Sequence, residues 1–407
     1  MATGTGTAGY RAVLALPGVG PLTAVALVAR IPPTAAGVVL TLHVVLDLDL
    51  GYGAAGLVAA AATTGSAIGA PLLGRAIDRR GLRLVVVLTT VAEGVFWAAA
   101  PTLDHPPLVV GTFAAGVLGL PVFTVVRQAL TSMVPADQRR TAFALDSMAV
   151  ELTYAVGPAA GTLLALQLSP TIAMWAIGAA WVAAGIALFV LDPPVRAAAG
   201  SADAQSGPTR WWSRQLAAVL LAAAATTFVV LGAELGVLAA LQHAGEAWAF
   251  GPVIAVWCLA SVVGGFCYGA TRRALPQALL VAALAVATLL VALGTSWWVF
   301  ALLIIPSGLL CAPSFAAGTE RAGALAPPGA RGLVMGLHAS ALTLGSAAGV
   351  PLAGLVVDAA SPAAAIAVVA GVAVLAAGGS ALLGRSAGHV NVSWRFHARG
   401  TGPVERR

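Results

Sequence analysis

Apolar residues run along this chain in long unbroken blocks, and the few charged residues collect in the short stretches between them. A block of about 20 residues, as a helix rising 1.5 Å per residue, crosses a hydrocarbon core of about 30 Å. None of the blocks alternates apolar and polar positions with the period of two expected of a lipid-facing barrel strand, so the spanning form is helical. The pattern predicts twelve spans, near residues 16–45, 53–73, 84–104, 107–133, 142–167, 171–191, 216–242, 248–270, 276–296, 298–321, 333–358 and 362–383. The opening MATGTGTAGYRAVLALPG lacks a cleavage-site pattern and is expected to remain as a cytoplasmic tip.

Composition agrees with the pattern. Of 407 residues 59% are hydrophobic and only 9% charged, which leaves too little polar surface for a soluble domain. The fold class is therefore an all-α polytopic membrane protein. All 21 basic residues are arginine, and all but Arg30, Arg127 and Arg321 fall on one side of the predicted spans. The opposite loops carry Asp47, Asp49, Asp104, Glu246 and Asp358. The positive-inside rule then places both termini in the cytoplasm, with the protein in the plasma membrane. A net charge of +6 points to contact with anionic lipid headgroups, and no basic domain or base-stacking motif points to nucleic acid.

The longest break, DPPVRAAAGSADAQSGPTRWWSR (residues 192–214), is rich in Pro, Gly, Ser and charge, as a linker is. It divides the chain into an N-terminal six-helix unit (1–191), a cytoplasmic linker (192–214), a C-terminal six-helix unit (215–384) and a cytoplasmic tail (385–407). At a constant offset of 192 residues Pro135 matches Pro327, Arg139 matches Arg331, Gly157 matches Gly349 and Asp146 matches His338. Each pair lies in or just before span 5 or span 11, so the reading is a duplicated unit. Parallel halves around a central site are a transporter architecture.

The stretch GRAIDRRGLR gathers Gly74, Asp78, Arg79, Gly81 and Arg83 between spans 2 and 3. It resembles the signature loop of the major facilitator superfamily, G-x-x-x-D-R-x-G-R-[RK], with Leu82 where that family often has a basic residue. The second-half counterpart GFCYGATRRALP keeps Gly269, Arg272 and Arg273 but has no Asp, similar to the degenerate second copy usual in the family. The resemblance implies a pseudo-twofold six-plus-six bundle, in which this cluster latches the halves on the cytoplasmic side and gates the outward-facing state. The chemistry suits that role. Gly74 permits a close helix approach, Asp78 can accept N–H groups at a helix N-terminus, and Arg79 and Arg83 can pair with acidic groups or lipid phosphate. For the outer residues Arg75 and Arg80 the alternative to a part in this cluster is a solvated positive-inside anchor. In span 5, Gly157, Pro158 and Gly161 form G-P-x-x-G, which resembles the core of an exporter motif, although Ala149 and Thr153 stand where its upstream glycines would be. Small residues four apart suit close packing, and Pro158 suits a bend, making this trio a candidate packing hinge.

Charges inside apolar spans tend to face a cavity or a partner. Arg30 precedes Ile31-Pro32-Pro33, where the helix must break; it is a candidate for the cavity, or for an ion pair with Glu151 or Glu234. Glu151 and Glu234 are candidate proton carriers or satisfied structural carboxylates. Arg127 joins the candidate substrate and proton cavity, or snorkels to headgroups. Asp146, Glu320, Arg321 and His338 are candidates for gate pairs near the cytoplasmic surface, and Glu93 is unassigned. Proton-coupled members of the superfamily often carry an Arg in span 4 where this chain has Thr112, so coupling chemistry does not transfer from the resemblance at that position.

Cys258, Cys267 and Cys311 have no metal or disulfide spacing and read as packing residues, and His43 and His243 as interface residues. With no Lys there is no nucleotide-binding P-loop, and no cofactor or metal is expected. Trp211, Trp212, Trp297 and Trp298 fit interfacial belts. The expectation is a monomeric secondary transporter that works by alternating access and exports a small amphipathic compound in exchange for protons. The alternatives are an uptake permease for a small metabolite, a non-transporting membrane receptor or a membrane-embedded enzyme; an enzyme is disfavoured because no convergent nucleophile, base or metal set is present.

Overall fold

Proline and glycine, more than the ends of apolar blocks, set the element boundaries in the computed structural model, which describes residues 7–195, 212–271 and 275–385. Every regular element among these residues is helical. Span 1 is Val19–Ala29 and Ile31–Leu42, parted at Arg30 and prolonged by a π-helical turn, His43–Asp47. Spans 2 to 6 are Tyr52–Arg80, Leu82–Ala99, the pair His105–Leu118 and Val122–Met133, Arg139–Gln167, and Pro170–Leu191. Spans 7 to 12 are Arg214–His243, Phe250–Ala270, Gln277–Val291, the pair Trp297–Leu303 and Ile305–Leu325, Arg331–Ala359, and Pro362–Arg385. The two pieces of span 10 meet at 43°. The linker residues 196–211, the arginines 272 and 273, and the tail beyond 385 lie outside the described residues, as does Trp211.

Three differences from the sequence reading have physical causes. The stretch Gly74–Arg80, read as loop, continues the span 2 helix; only Gly81 leaves it, at φ 94°, a conformation that favours glycine. Span 4 is interrupted at Gly119–Pro121, because Pro121 cannot donate to the helical ladder. The freed backbone N–H of Leu120 meets the Glu93 carboxyl, which also accepts the Trp97 indole N–H at 2.9 Å, so Glu93 mends a broken helix. Ahead of span 1, Thr7–Leu14 forms a short helix whose Tyr10 hydroxyl donates to the carbonyls of Gly265 and Phe266 in span 8 at 3.1 and 3.0 Å.

The repeat is geometrically regular. Helix bounds recur at the 192-residue offset, His105 with Trp297, Met133 with Leu325, Arg139–Gln167 with Arg331–Ala359, and Pro170 with Pro362. Gly157 packs on Thr34 of span 1, and its counterpart Gly349 packs on Phe228 of span 7, the equivalent helix. Contacts between halves obey the same exchange: span 2 lies along span 11, and span 8 along span 5. The chain is thus a pseudo-twofold bundle of six plus six spans.

The cross-half contacts run from the arginine-rich end to mid-span. Gly74 meets the backbone of Gly332, Gly336 meets Ala70 and Pro71, and Ser340 Oγ donates to the Ala67 carbonyl at 2.6 Å. On the other seam Gly269 faces Ala144, Gly265 faces Met148, and Glu151 reaches Cys311. All of these cross-half contacts lie between the arginine-rich end and the level of Glu151. A Cβ on Gly74 would fall on the Gly332 carbonyl, whereas one on the exposed Gly56 meets nothing within 4 Å. Gly74→Ala should therefore destabilise the protein by about 1–3 kcal/mol in thermal unfolding, with Gly56→Ala within about 0.5 kcal/mol of the parent.

Candidate functional site

At the arginine-rich end Asp78 performs the joining. Its Oδ1 accepts the backbone N–H of Gly332 and its Oδ2 that of Leu333, each at 2.9 Å, at the first turn of span 11. A carboxylate here meets two N–H groups that have no partner in their own helix, along with the positive end of the helix dipole. Gln128 of span 4 steadies the arrangement by donating its Nε2 to Oδ1 at 3.1 Å. The other residues of the stretch do less across the seam. Arg83 pairs with Asp192 of its own half at 3.0 Å and lies 5.3 Å from the Phe189 ring, while Arg75, Arg79 and Arg80 are exposed.

The second seam uses the same positions with inverted polarity. At the 192-residue offset Gly332 and Leu333 become Arg140 and Thr141, which donate to the carbonyls of Thr271 and Gly269 at 3.0 and 2.8 Å. Gln128 becomes Glu320, whose carboxylate lies 3.8 Å from Arg140 Nε. Arg321 beside it is exposed.

Behind the first seam lies a buried charge cluster. Arg30, at the break in span 1, is 0% exposed and its Nη2 binds Asp146 Oδ1 at 2.6 Å. Arg127 Nε binds Asp146 Oδ2 at 3.3 Å, and the Arg30 guanidinium lies 5.0 Å from the Phe123 ring. Asp146 is therefore the partner of Arg30, in place of Glu151 or Glu234. Arg127 is buried in the cluster and does not snorkel, because a paired carboxylate lies closer than the headgroups. Asp146 faces inward and forms no surface gate pair. One carboxylate serves two guanidiniums, and Arg30 Nε and Nη1 have no partner among the described residues. A cavity of about 10 Å³, the size of one water, is lined by Arg30 and Asp146 together with apolar side chains of spans 1, 4 and 5.

The carboxyls assigned to the cavity are set apart from these cations. Glu151 is 7% exposed and takes hydrogen bonds from neutral groups, the Cys311 thiol at 3.4 Å and the Ser261 hydroxyl. Glu234 of span 7 lines a cavity of about 20 Å³ with Trp257, Thr288 and Ser307. One helical turn beyond Glu151, Tyr154 is 57% exposed, with Arg127, Glu151 and Arg30 as its electrostatic neighbours. Cys311, read from the sequence as a packing residue, instead donates to Glu151, and Tyr154 and Ser261 were not picked out, although the three-residue spacing of Glu151 and Tyr154 on one helix face was a usable signal. Gly157 and Gly161 pack on Thr34, Ala35 and Val39 of span 1, inside one half, with Pro158 between them.

A family model described as Major Facilitator Superfamily matches residues 22–276. The chain belongs to the major facilitator superfamily. No match was found among curated protein sequences. Solved structures of superfamily transporters share the fold. The human organic anion transporter MFSD10 (TETRAN) is 18% identical, at a TM-score of 0.67 over 92% of this chain and 99% of that one. A bacterial homologue of the iron transporter ferroportin in an outward-facing state is 14% identical, at 0.71 over 91% and 99%. The proton:xylose symporter XylE is 15% identical, at 0.69 over 88% and 94%. The fold is that of a membrane transporter, and cargoes this varied show that it does not select a substrate. No group of three metal-ligating side chains lies together among the described residues.

Breaking the buried cluster leaves charge without a partner, so Asp146→Ala should cost about 3–5 kcal/mol and Asp146→Asn less, read by thermal unfolding in detergent. Asp78→Ala should insert normally yet lower transport about tenfold, since two charge-assisted hydrogen bonds of about 1.5–3 kcal/mol each hold the closed seam; unchanged flux would show that the seam does not gate.

Proposed function

We propose that the chain is a proton-coupled exporter of small amphipathic compounds, a plasma-membrane monomer with its arginine-rich face and both termini in the cytoplasm. The observation that carries this reading is the setting of Glu151. It lies at the last of the cross-half contacts described above, at what this reading takes as the floor of a vestibule open to the other face, and its hydrogen-bond partners are a thiol and a hydroxyl. A carboxyl with neutral partners can take up or lose a proton without breaking an ion pair, which is what a proton carrier requires. Glu234 is the second such group, in the facing half.

Orientation rests on the arginine distribution, and with it the vestibule opens outward. Protons then reach Glu151 from outside while the cytoplasmic seams are shut, the loading order of an exchanger that releases its cargo on that side. Few charges and much apolar surface around the vestibule suit an amphipathic cargo, and Asp78 with the Arg140 and Thr141 seam forms the inner gate.

The test is flux in everted vesicles across a panel of amphipathic dyes under an imposed pH gradient. The parent should accumulate at least one dye in proportion to the gradient, and Glu151→Gln should retain dye exchange while losing that proportionality, with Glu234→Gln weakening it. Flux indifferent to the gradient, or a fully coupled Glu151→Gln variant, refutes proton coupling; accumulation in the opposite direction favours uptake.

A further inference from the structure

His338 has no part in the exporter reading, and its surroundings are unusual. It is 1% exposed, and both ring nitrogens are without a hydrogen-bond partner among the described residues. A buried polar group without a partner is costly, so one kept at the centre of a bundle needs a reason. At the 192-residue offset His338 occupies the place of Asp146, the residue that neutralises Arg127 in the first half. Arg127 sits on span 4, which packs against span 11 across the seam, and it is the charged group acting on His338. The imidazole and the anchoring carboxylate thus flank one arginine from opposite halves.

The groups facing His338 from each neighbouring helix define what it can do. Span 4 brings Arg127, tied through Asp146 of span 5 to Arg30. Span 10 brings Gly318, whose missing side chain leaves room beside Nε2, with its own charged residues Glu320 and Arg321 turned to Arg140 and to the surface. Span 9 brings Gln277, whose amide nitrogen lies beside the same Gly318 and whose Oε1 is unpaired. Span 2 brings Ala67 and Ala70 at this level, and Asp78 only at the first turn of span 11. From span 7, Ala224 and Thr227 meet span 11 two turns beyond, and Glu234 lies farther along that helix. Span 12 has no charged residue before Arg385 at its end.

Two guanidiniums already share one carboxylate here. A third positive charge at His338 would face Arg127 with no further carboxylate paired to that cluster among the described residues.

We propose that His338 is a proton-binding site distinct from Glu151 and Glu234, and that a proton there drives apart the halves at the arginine-rich end. The closed seam accommodates a neutral ring; protonation places like charges on the two sides of it, so acid shifts the population toward the state open at that end. This inference deepens the exporter reading and rests on it for the direction in which opening serves transport.

The experiment is double electron–electron resonance on the full chain in nanodiscs, with spin labels at Arg75→Cys and Arg321→Cys in a background where Cys258 and Cys267 are replaced by alanine and the buried Cys311, a partner of Glu151, is kept. Both labelled positions are exposed at the arginine-rich end, one in each half. From pH 8.0 to 5.5 a longer-distance component should grow at least about threefold, and His338→Gln should abolish that growth while Glu151→Gln retains it. A pH-independent distance in the His338 parent overturns the proposal without any variant at that site, and so does a response lost in Glu151→Gln but kept in His338→Gln. In either case the exporter reading stands or falls separately, on gradient-driven dye flux.

Discussion

One carboxylate ties the two halves together at the arginine-rich end. Asp78, at the end of span 2, accepts from the two amides at the start of span 11, and among the described residues no other carboxylate hydrogen-bonds across that seam. The interaction is strong because the donors are fixed in the backbone and the helix dipole adds to their pull. It is also demanding in distance, since the two helices must come together until Gly74 and Gly332 touch by backbone, and a side chain at either position would hold them apart.

Buried electrostatics obey a different rule from the surface. The break at Arg30 arises because Pro32 and Pro33 cannot continue the preceding ladder, and it delivers a guanidinium to the middle of the bundle, where the carboxylate and an aromatic face receive it. Arg127 joins the same carboxylate from the interrupted span 4. Both breaks in the first half are therefore tied to ionisable side chains, Arg30 at one and Glu93 at the other. Irregular backbone survives within a membrane where such groups meet its freed donors and acceptors.

Much of this architecture was legible because it depends on composition and period. Apolar block length yielded all twelve spans, and the 192-residue offset seen in four residue pairs reappears in helix bounds from span 4 to span 6 and their counterparts. Partner choice was not legible. Arg30 could be matched to a carboxylate only by depth, and the depth of Asp146 was misjudged because span 5 begins at Arg139, a turn earlier than its apolar block. The helical course of Gly74–Arg80 was hidden for a similar reason, since charged residues at a helix end look like loop when hydropathy is the guide. Glu93 had no assignable role while span 4 was taken as continuous. Tyr10, isolated in the opening segment, gave no periodic signal at all.

The inverted polarity of the two seams is also a division of labour between helix ends. Span 2 meets the start of span 11 through a carboxylate on two backbone amides, whereas span 5 meets the end of span 8 through an arginine and a threonine hydroxyl on two backbone carbonyls. Each seam thus supplies partners to helix-end groups that have none within their own helix. A structurally symmetric molecule is thereby joined along its two edges by opposite chemistry, an anion at a helix start and donors at a helix finish.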